Sequence, residues 1–490
     1  MSAPDIGVDI IGRFSGYAGG DPITIVLGAG ASQPSGLPSW DEFAIRSIIA
    51  SGLLESYELA QAFVMRQDPG IILESAKLAS GDRWDDVLGS ALFGAGTQPL
   101  YPSPLHKAAV DLYMKHKQTT NLCTLNYDEI LEEEILLREP GDVLINIGEN
   151  HTDPDDQAGS ELDSDDIEDG VQGIRSVVHH LHGVYHEGKG HSMIVGMSDY
   201  AELMAKRDSW QRAFLGQAVD NGWLLLAGTS YRDPDMRQWL HEALVEQEPQ
   251  HAPLVTLARQ SLQVSKRRFD LLSDALRAQW EAIGLSAILV QDLADIATVI
   301  GELDWMGKPG YRTPQERARH AWNTLDRHFE ALQHEFARQL EDDERHIQEA
   351  MGVAAHRATL WISDGRGKLV KWCSSGGINT RKESLRKVPT GHDSVSIAGE
   401  VLATEEVAVK DVLRSKQLDP KWQSVLAIPV KVTDGKSPGF AYAVVSFGLS
   451  PRARRILRKE AKWSAAVTAL QREWEIRLSD YAFGVEEGRI

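Results

Sequence analysis

The 490-residue chain has only two cysteines, Cys123 and Cys373. That excludes a disulfide framework and any zinc site of four cysteines drawn from one chain. It fits a reducing compartment, and a cytoplasmic location is expected. No apolar run reaches the ~20 residues that cross a bilayer, so no membrane partner is expected. The first residues, MSAPDIGVDI, lack the basic start and apolar core of a secretion signal. Positive charge is in deficit: 51 Lys and Arg face 71 Asp and Glu, a formal charge of −20. So acidic a chain is a poor general ligand for nucleic acid. Nine of the acidic residues fall between His151 and Gly170. Such a run reads as a solvated loop.

The stretch that organises the rest is Ile23 to Pro38, ITIVLGAGASQPSGLP. Ile23 to Leu27 reads as a buried parallel strand. It runs into Gly28, Ala29, Gly30, Ala31 and Ser32, where small residues allow close backbone approach to a ligand. Backbone N–H groups at such a turn suit a pyrophosphate, although the same turn also serves as a tight connection that binds nothing. Ser39 with Glu42 three residues on predicts a capped helix start. Further helices are expected around Phe43 to Leu54, around Trp84, and over Leu105 to His116.

A second strand is expected in Thr119 to Glu129, TTNLCTLNYDE. Thr124, Asn126 and Asp128 stand at alternate positions at its end, facing opposite to Leu125 and Tyr127. Polar residues at the carboxyl end of a parallel strand are where an open α/β sheet binds ligands, and Asp128 also suits an N-cap. Val143 to Ile147 and Val177 to Gly183 read as third and fourth strands. Of the three histidines in VVHHLHG, His182 is the functional candidate, and His179 and His180 are taken as incidental. Ser198 to Val219 reads as one helix. Trp223 to Ala227 is a further strand, ending at Gly228, Thr229 and Ser230. The sequence AGTSY lacks the second glycine of a nucleophile elbow, so phosphate or ribose binding fits Ser230 better than attack. Asp233 and Pro234 suit a helix start. With short strands at Leu254 to Leu257 and Ala287 to Gln291, the pattern predicts an α/β fold with a doubly wound parallel sheet.

Thr313, Pro314 and Glu316 open a long helix whose apolar residues, Trp322 to Leu340, recur at spacings of three and four. It serves either as a connector packed on its own chain or as a coiled coil. From Ala358 the period becomes that of strands. Two hairpins, a short helix near Ser396 and a closing helix from Arg452 to Leu478 predict a separate α+β domain. The expected organisation is residues 1–305, 306–350 and 351–490.

The pieces GAGAS with GLP, TLNYD, LHG and GTSYRD, in this order over about residues 20–305, resemble the SIR2-like family. Within it they resemble the prokaryotic branch found in antiphage-defence effectors. The resemblance implies a Rossmann-like domain in which Gly28, Ala29, Gly30 and Ser32 hold the phosphates of NAD⁺. It implies Asn126 beside the nicotinamide ribose, Asp128 as a neighbouring contact, and His182 as catalytic base. Gly228 and Ser230 then contact the dinucleotide, and Asp233 is typical of the defence branch. Deacylating members carry a four-cysteine zinc ribbon, which this chain cannot build. They also have Asp-Phe-Arg where this chain has SWDEF. The residues after 350 resemble a GAF domain, through SIAGEVLATEEVAVKDV and VLAIPV.

The expected activity is therefore NAD⁺ glycohydrolysis, with NAD⁺ as substrate and no metal, acting in abortive infection. The alternatives are an NAD-dependent deacylase or ADP-ribosyltransferase, and a non-catalytic nucleotide-sensing protein. A homo-oligomer is expected, with a regulatory small molecule or a companion defence protein as further partner.

Overall fold

Ile23–Leu27 forms β1, and all five of its residues are buried, as suits a central parallel strand covered on both faces. The computed structural model describes residues 6–94, 100–148, 176–206, 208–229, 234–246, 249–412 and 422–484. The acidic run at 151–170, Ser230 and Asp233 lie outside the described residues. Two compact units emerge: Gly20–Leu257 with Leu271–Ile288, and Met1–Gly19 with Ala258–Asp270 and Leu289–Ile490.

The first unit is built on a seven-stranded parallel sheet. Its other strands are β2 (Thr120–Thr124), β3 (Val143–Asn146), β4 (Ser176–His180), β7 (Trp223–Ala227), β8 (Leu254–Ala258) and β9 (Ser286–Val290). A small hairpin of β5 (Val184–His186) and β6 (Lys189–His191) stands apart. The strand order is β3-β4-β2-β1-β7-β8-β9. β1 thus sits where the chain switches from building one side of the sheet to building the other.

The helices between β1 and β2 include Trp40–Ala50, Tyr57–Val64, Pro69–Ser80 and Trp84–Phe93. Ser39, Ser56 and Asp68 cap the first three through their side-chain oxygens. Their apolar faces share a core of Phe43, Ile48, Ile72, Leu88 and Leu92, into which Tyr127 inserts. Ser198 to Val219 is not one helix. It is Met197–Ala205 and Trp210–Asp220, with Ser209 capping the second by accepting from the Arg212 N–H. Serine's competing side-chain hydrogen bond starts a helix more readily than it continues one.

The second unit carries a six-stranded antiparallel sheet: β10 (Ala355–Ser363), β11 (Lys368–Ser374), β12 (Lys387–Pro389), β13 (Ala408–Asp411), β14 (Ser424–Val432) and β15 (Phe440–Leu449). Their order is β12-β11-β10-β15-β14-β13. Leu426, Ile428 and Val430 alternate toward one face, where helices Pro314–Arg327, Phe329–Met351 and Glu460–Phe483 pack. Helix Ile397–Thr404 covers the other face through Val401 and Leu402. The long helix breaks at His328. Its apolar stripe, Leu325, Phe329, Leu332, Phe336 and Leu340, is buried in this core with Trp372 and Trp474. The stripe packs on its own chain. Beside it, Arg317 and Glu302 form a fully buried ion pair.

Candidate functional site

Strand register brings the sequence pieces together. Leu27, the last residue of β1, lies opposite Thr124 of β2 on one side and Ala227 of β7 on the other. Thr124 in turn lies opposite His180, the last residue of β4. Four strands therefore end level, and GAGAS, TLNYD, LHG and the Gly228 turn all leave from one edge. A pocket opens there, lined by Gly28, Ala29, Ser32, Leu37, Trp40, Phe43, Leu125, Asn126, Tyr127, Asp128 and His182. The expected alternation beyond Thr124 does not hold. The strand ends at that residue, so Leu125 to Asp128 follow a bend and all four line the pocket.

The glycines have a local reason. Gly28 N–H donates to the Ala227 carbonyl at 3.0 Å, and Gly30 N–H to the Gly228 carbonyl at 2.8 Å. A Cβ on Gly28 would lie 2.6 Å from the Thr229 Cα, and one on Gly30 would lie 2.8 Å from the Gly228 oxygen. Gly228 has φ +67°. The close approach is thus between two turns of the same chain, and two N–H groups of the expected phosphate cradle are already engaged.

Asn126 is 8% exposed and closely held. Its backbone N–H donates to Thr124 Oγ1 at 3.0 Å. Its Nδ2 donates to the Gly28 carbonyl at 3.1 Å and to Ser32 Oγ at 2.8 Å. A carbonyl can only accept, so the amide orientation follows, and both Nδ2 hydrogens are used. Oδ1 is the atom left to meet a bound molecule. Ser32 is a second node. His106 Nδ1 accepts from the Ser103 N–H, which places the hydrogen of the neutral ring on Nε2, 3.3 Å from Ser32 Oγ. Burial, with a smaller push from Lys107, lowers His106 to about 3, so the ring is neutral. Ser32 accepts from both neighbours and gives its own hydrogen to Asp128.

Asp128 is buried, and burial raises its pKa to about 6. Hydrogen bonds from Ser32 and the Ile130 N–H pull it back, Glu132 raises it, and His180 lowers it. Asp128 Oδ1 accepts from the Ile130 N–H at 3.3 Å, so it also serves the start of helix Ile130–Arg138. Behind it, His180 is fully buried between the Asn126 carbonyl at 3.2 Å and Glu132 Oε1 at 2.6 Å. Burial works against its charge, but Glu132 beside it wins and raises its pKa. His180 is therefore part of the site's foundation rather than incidental. Strand parity could have signalled it, because His180 shares a face with buried Ser176 and Val178.

His182 is 2% exposed and lines the pocket, edge-on to Tyr200 with ring centroids 5.8 Å apart. Its carbonyl accepts from the Ile194 N–H at 3.0 Å. Gly183, at φ +79°, passes under residues 191–192, where a Cβ would lie 2.4 Å from two carbonyl oxygens. Gly28, Ala29, Ser32, Asn126, Asp128 and His182 thus share one pocket. Gly30 and Gly228 support its floor.

Residues 120–288 match the model of the SIR2-like domain. The chain carries a SIR2-like domain. The matched span begins at β2 and holds Asn126, Asp128, His182 and Gly228, while Gly28 to Ser32 precede it. Among solved structures, one on the mechanism and regulation of Sir2 enzymes is 11% identical, covering 61% of this chain and 97% of its own, with a TM-score of 0.30. A structure described as a GAF sensor protein from Burkholderia vietnamiensis is 14% identical, covering 37% and 98%, with a TM-score of 0.20. A GAF domain structure is 15% identical, covering 32% and 96%, with a TM-score of 0.18. No curated protein matches the chain. Among the described residues of the SIR2-like domain and the rest of the chain, no helix is long and apolar enough to cross a membrane.

Proposed function

We propose that this protein is an NAD⁺ glycohydrolase that releases nicotinamide and ADP-ribose. The observation that carries the reading is the meeting of Asn126 and His182 in one pocket of a SIR2-like domain. The bond to be cut joins nicotinamide nitrogen to ribose C1′, and its cleavage passes through an oxocarbenium-like state. Nicotinamide leaves neutral with the bonding pair, and water adds to C1′ with loss of a proton. In this reading His182 takes a proton from that water or from a ribose hydroxyl. Asn126 Oδ1 accepts from the same hydroxyl or water. Leu37, Trp40, Phe43 and Leu125 supply apolar walls that limit bulk solvent.

The test is purified protein with NAD⁺, with and without an acyl-lysine peptide, followed by product analysis. Asn126→Ala and His182→Ala are each expected to lower nicotinamide release by about 10²–10⁴-fold. Unchanged turnover in both overturns the site. Release that requires the peptide indicates a deacylase, and binding without turnover indicates a sensor.

We assign the activity to antiphage defence by NAD⁺ depletion, with the GAF-like unit gating it through a small ligand or through assembly of copies. Infected cells carrying the wild-type chain should lose NAD⁺ while cells carrying Asn126→Ala keep it. Equal NAD⁺ levels in the two overturn the assignment.

A further inference from the structure

We propose that His180 and Glu132 form the positioning pair of this site, in which His180 grips the Asn126 carbonyl from behind and so sets where the Asn126 and Asp128 side chains point. The kinetic arm of the test rests on the NAD⁺ reading above, and the pair itself stands on geometry. His180 Nδ1 faces a carbonyl and Nε2 faces a carboxylate. Both of those oxygens only accept, so each ring nitrogen presents a hydrogen. Glu132 lies in the first turn of helix Ile130–Arg138, directly after TLNYD. The ring therefore ties the end of β4 to both ends of the segment 126–132. That segment carries the pocket-lining Asn126 and Asp128.

The other backbone partners of the segment leave His180 a specific task. Leu125 N–H donates to the Leu27 carbonyl, and the Tyr127 carbonyl accepts from the Tyr185 N–H. Asn126 N–H is held by Thr124. The Asn126 carbonyl is held by His180. A buried ion pair is a poor stabiliser, because well-packed apolar residues of similar volume serve as well or better. An apolar pair cannot donate to the Asn126 carbonyl, and that is the function left for this one. His180 acts through Asn126 and is not in the pocket wall, so its role is positioning.

Two substitutions separate the roles. In His180→Asn the side-chain amide falls near Nδ1, keeping the donor to Asn126 and losing Glu132. In His180→Gln it falls near Nε2, keeping Glu132 and losing Asn126. Positioning predicts that His180→Asn keeps kcat within about threefold, while His180→Gln lowers kcat roughly 10–100-fold with KM little changed. A merely structural pair predicts the opposite order, since His180→Asn breaks the shorter contact. Equal kcat values, or the opposite order, overturn the proposal. If the wild-type chain releases no nicotinamide, the functional reading falls, and hydrogen exchange over residues 125–129 tests the pair alone. Faster exchange in His180→Gln than in His180→Asn supports it, and equal or reversed rates overturn it.

Discussion

Gly30→Ala tests whether the glycines of GAGAS exist for the chain's own packing. The new Cβ would meet the Gly228 oxygen at 2.8 Å and the Gly228 Cα at 3.0 Å, both backbone atoms that cannot rotate away. Ordinary contact begins at 3.4 Å, so the two turns must part by about 0.6 Å, stretching the Gly30 N–H bond to Gly228. Overpacking of this kind costs about 1–3 kcal/mol and the weakened bond about 1 more. A loss of roughly 2–4 kcal/mol corresponds to about 4–16 °C in Tm for a domain of this size. Because a misplacement of about 1 Å can cost ~10²-fold in rate, nicotinamide release should fall roughly tenfold. Gly12→Ala is the control. Gly12 has φ −59°, and a Cβ there meets nothing within 4 Å. It should be neutral or stabilising by up to about 1 kcal/mol. Differential scanning fluorimetry with a turnover assay decides. Wild-type Tm and activity in Gly30→Ala would refute the packing argument.

Asp128→Asn should gain stability over the wild type as pH rises. The folded carboxyl, raised mainly by burial to about 6, holds its proton longer than the unfolded one, so wild-type stability is lost as pH rises through 6. Urea unfolding at pH 5 and pH 7.5 should show the gap widening by about 1–2 kcal/mol, and a constant gap would contradict the shift. Arg317→Met strands the buried Glu302 carboxylate, which then keeps, among the described residues, only the Tyr311 hydroxyl at 2.7 Å. Unfolding free energy should drop by about 3–5 kcal/mol, and most of it should return when Glu302→Leu is added.

Much of this site could be read from local pattern. β1, β2 and β7 are short apolar runs that end at small or polar residues, so strand ends and ligand-facing residues coincide in sequence. What could not be read is what lies behind them. His106 reaches Ser32 across 74 positions, and His180 reaches Glu132 across 48. No local spacing encodes such pairs. The role of Gly28 and Gly30 was half legible: close approach was implied, but the partner is the β7 turn rather than a ligand. Helix breaks were missed where no proline or glycine marks them, as at His328, whose neighbours Leu325 and Phe329 keep the helical spacing across the break.

The place of β1 between β2 and β7 also has a consequence for synthesis. Leu27 and Ala227 are register partners separated by 200 positions in the chain. At ~5–20 residues per second, a ribosome takes roughly 10–40 s to deliver the second after the first. During that time β1 can pair with β2 but has one bare edge, the kind of edge that invites wrong partners. The wall carrying Asn126 and Asp128 is made well before the floor beneath Gly28 and Gly30. A nascent chain therefore cannot acquire the finished pocket until β7 has left the ribosome.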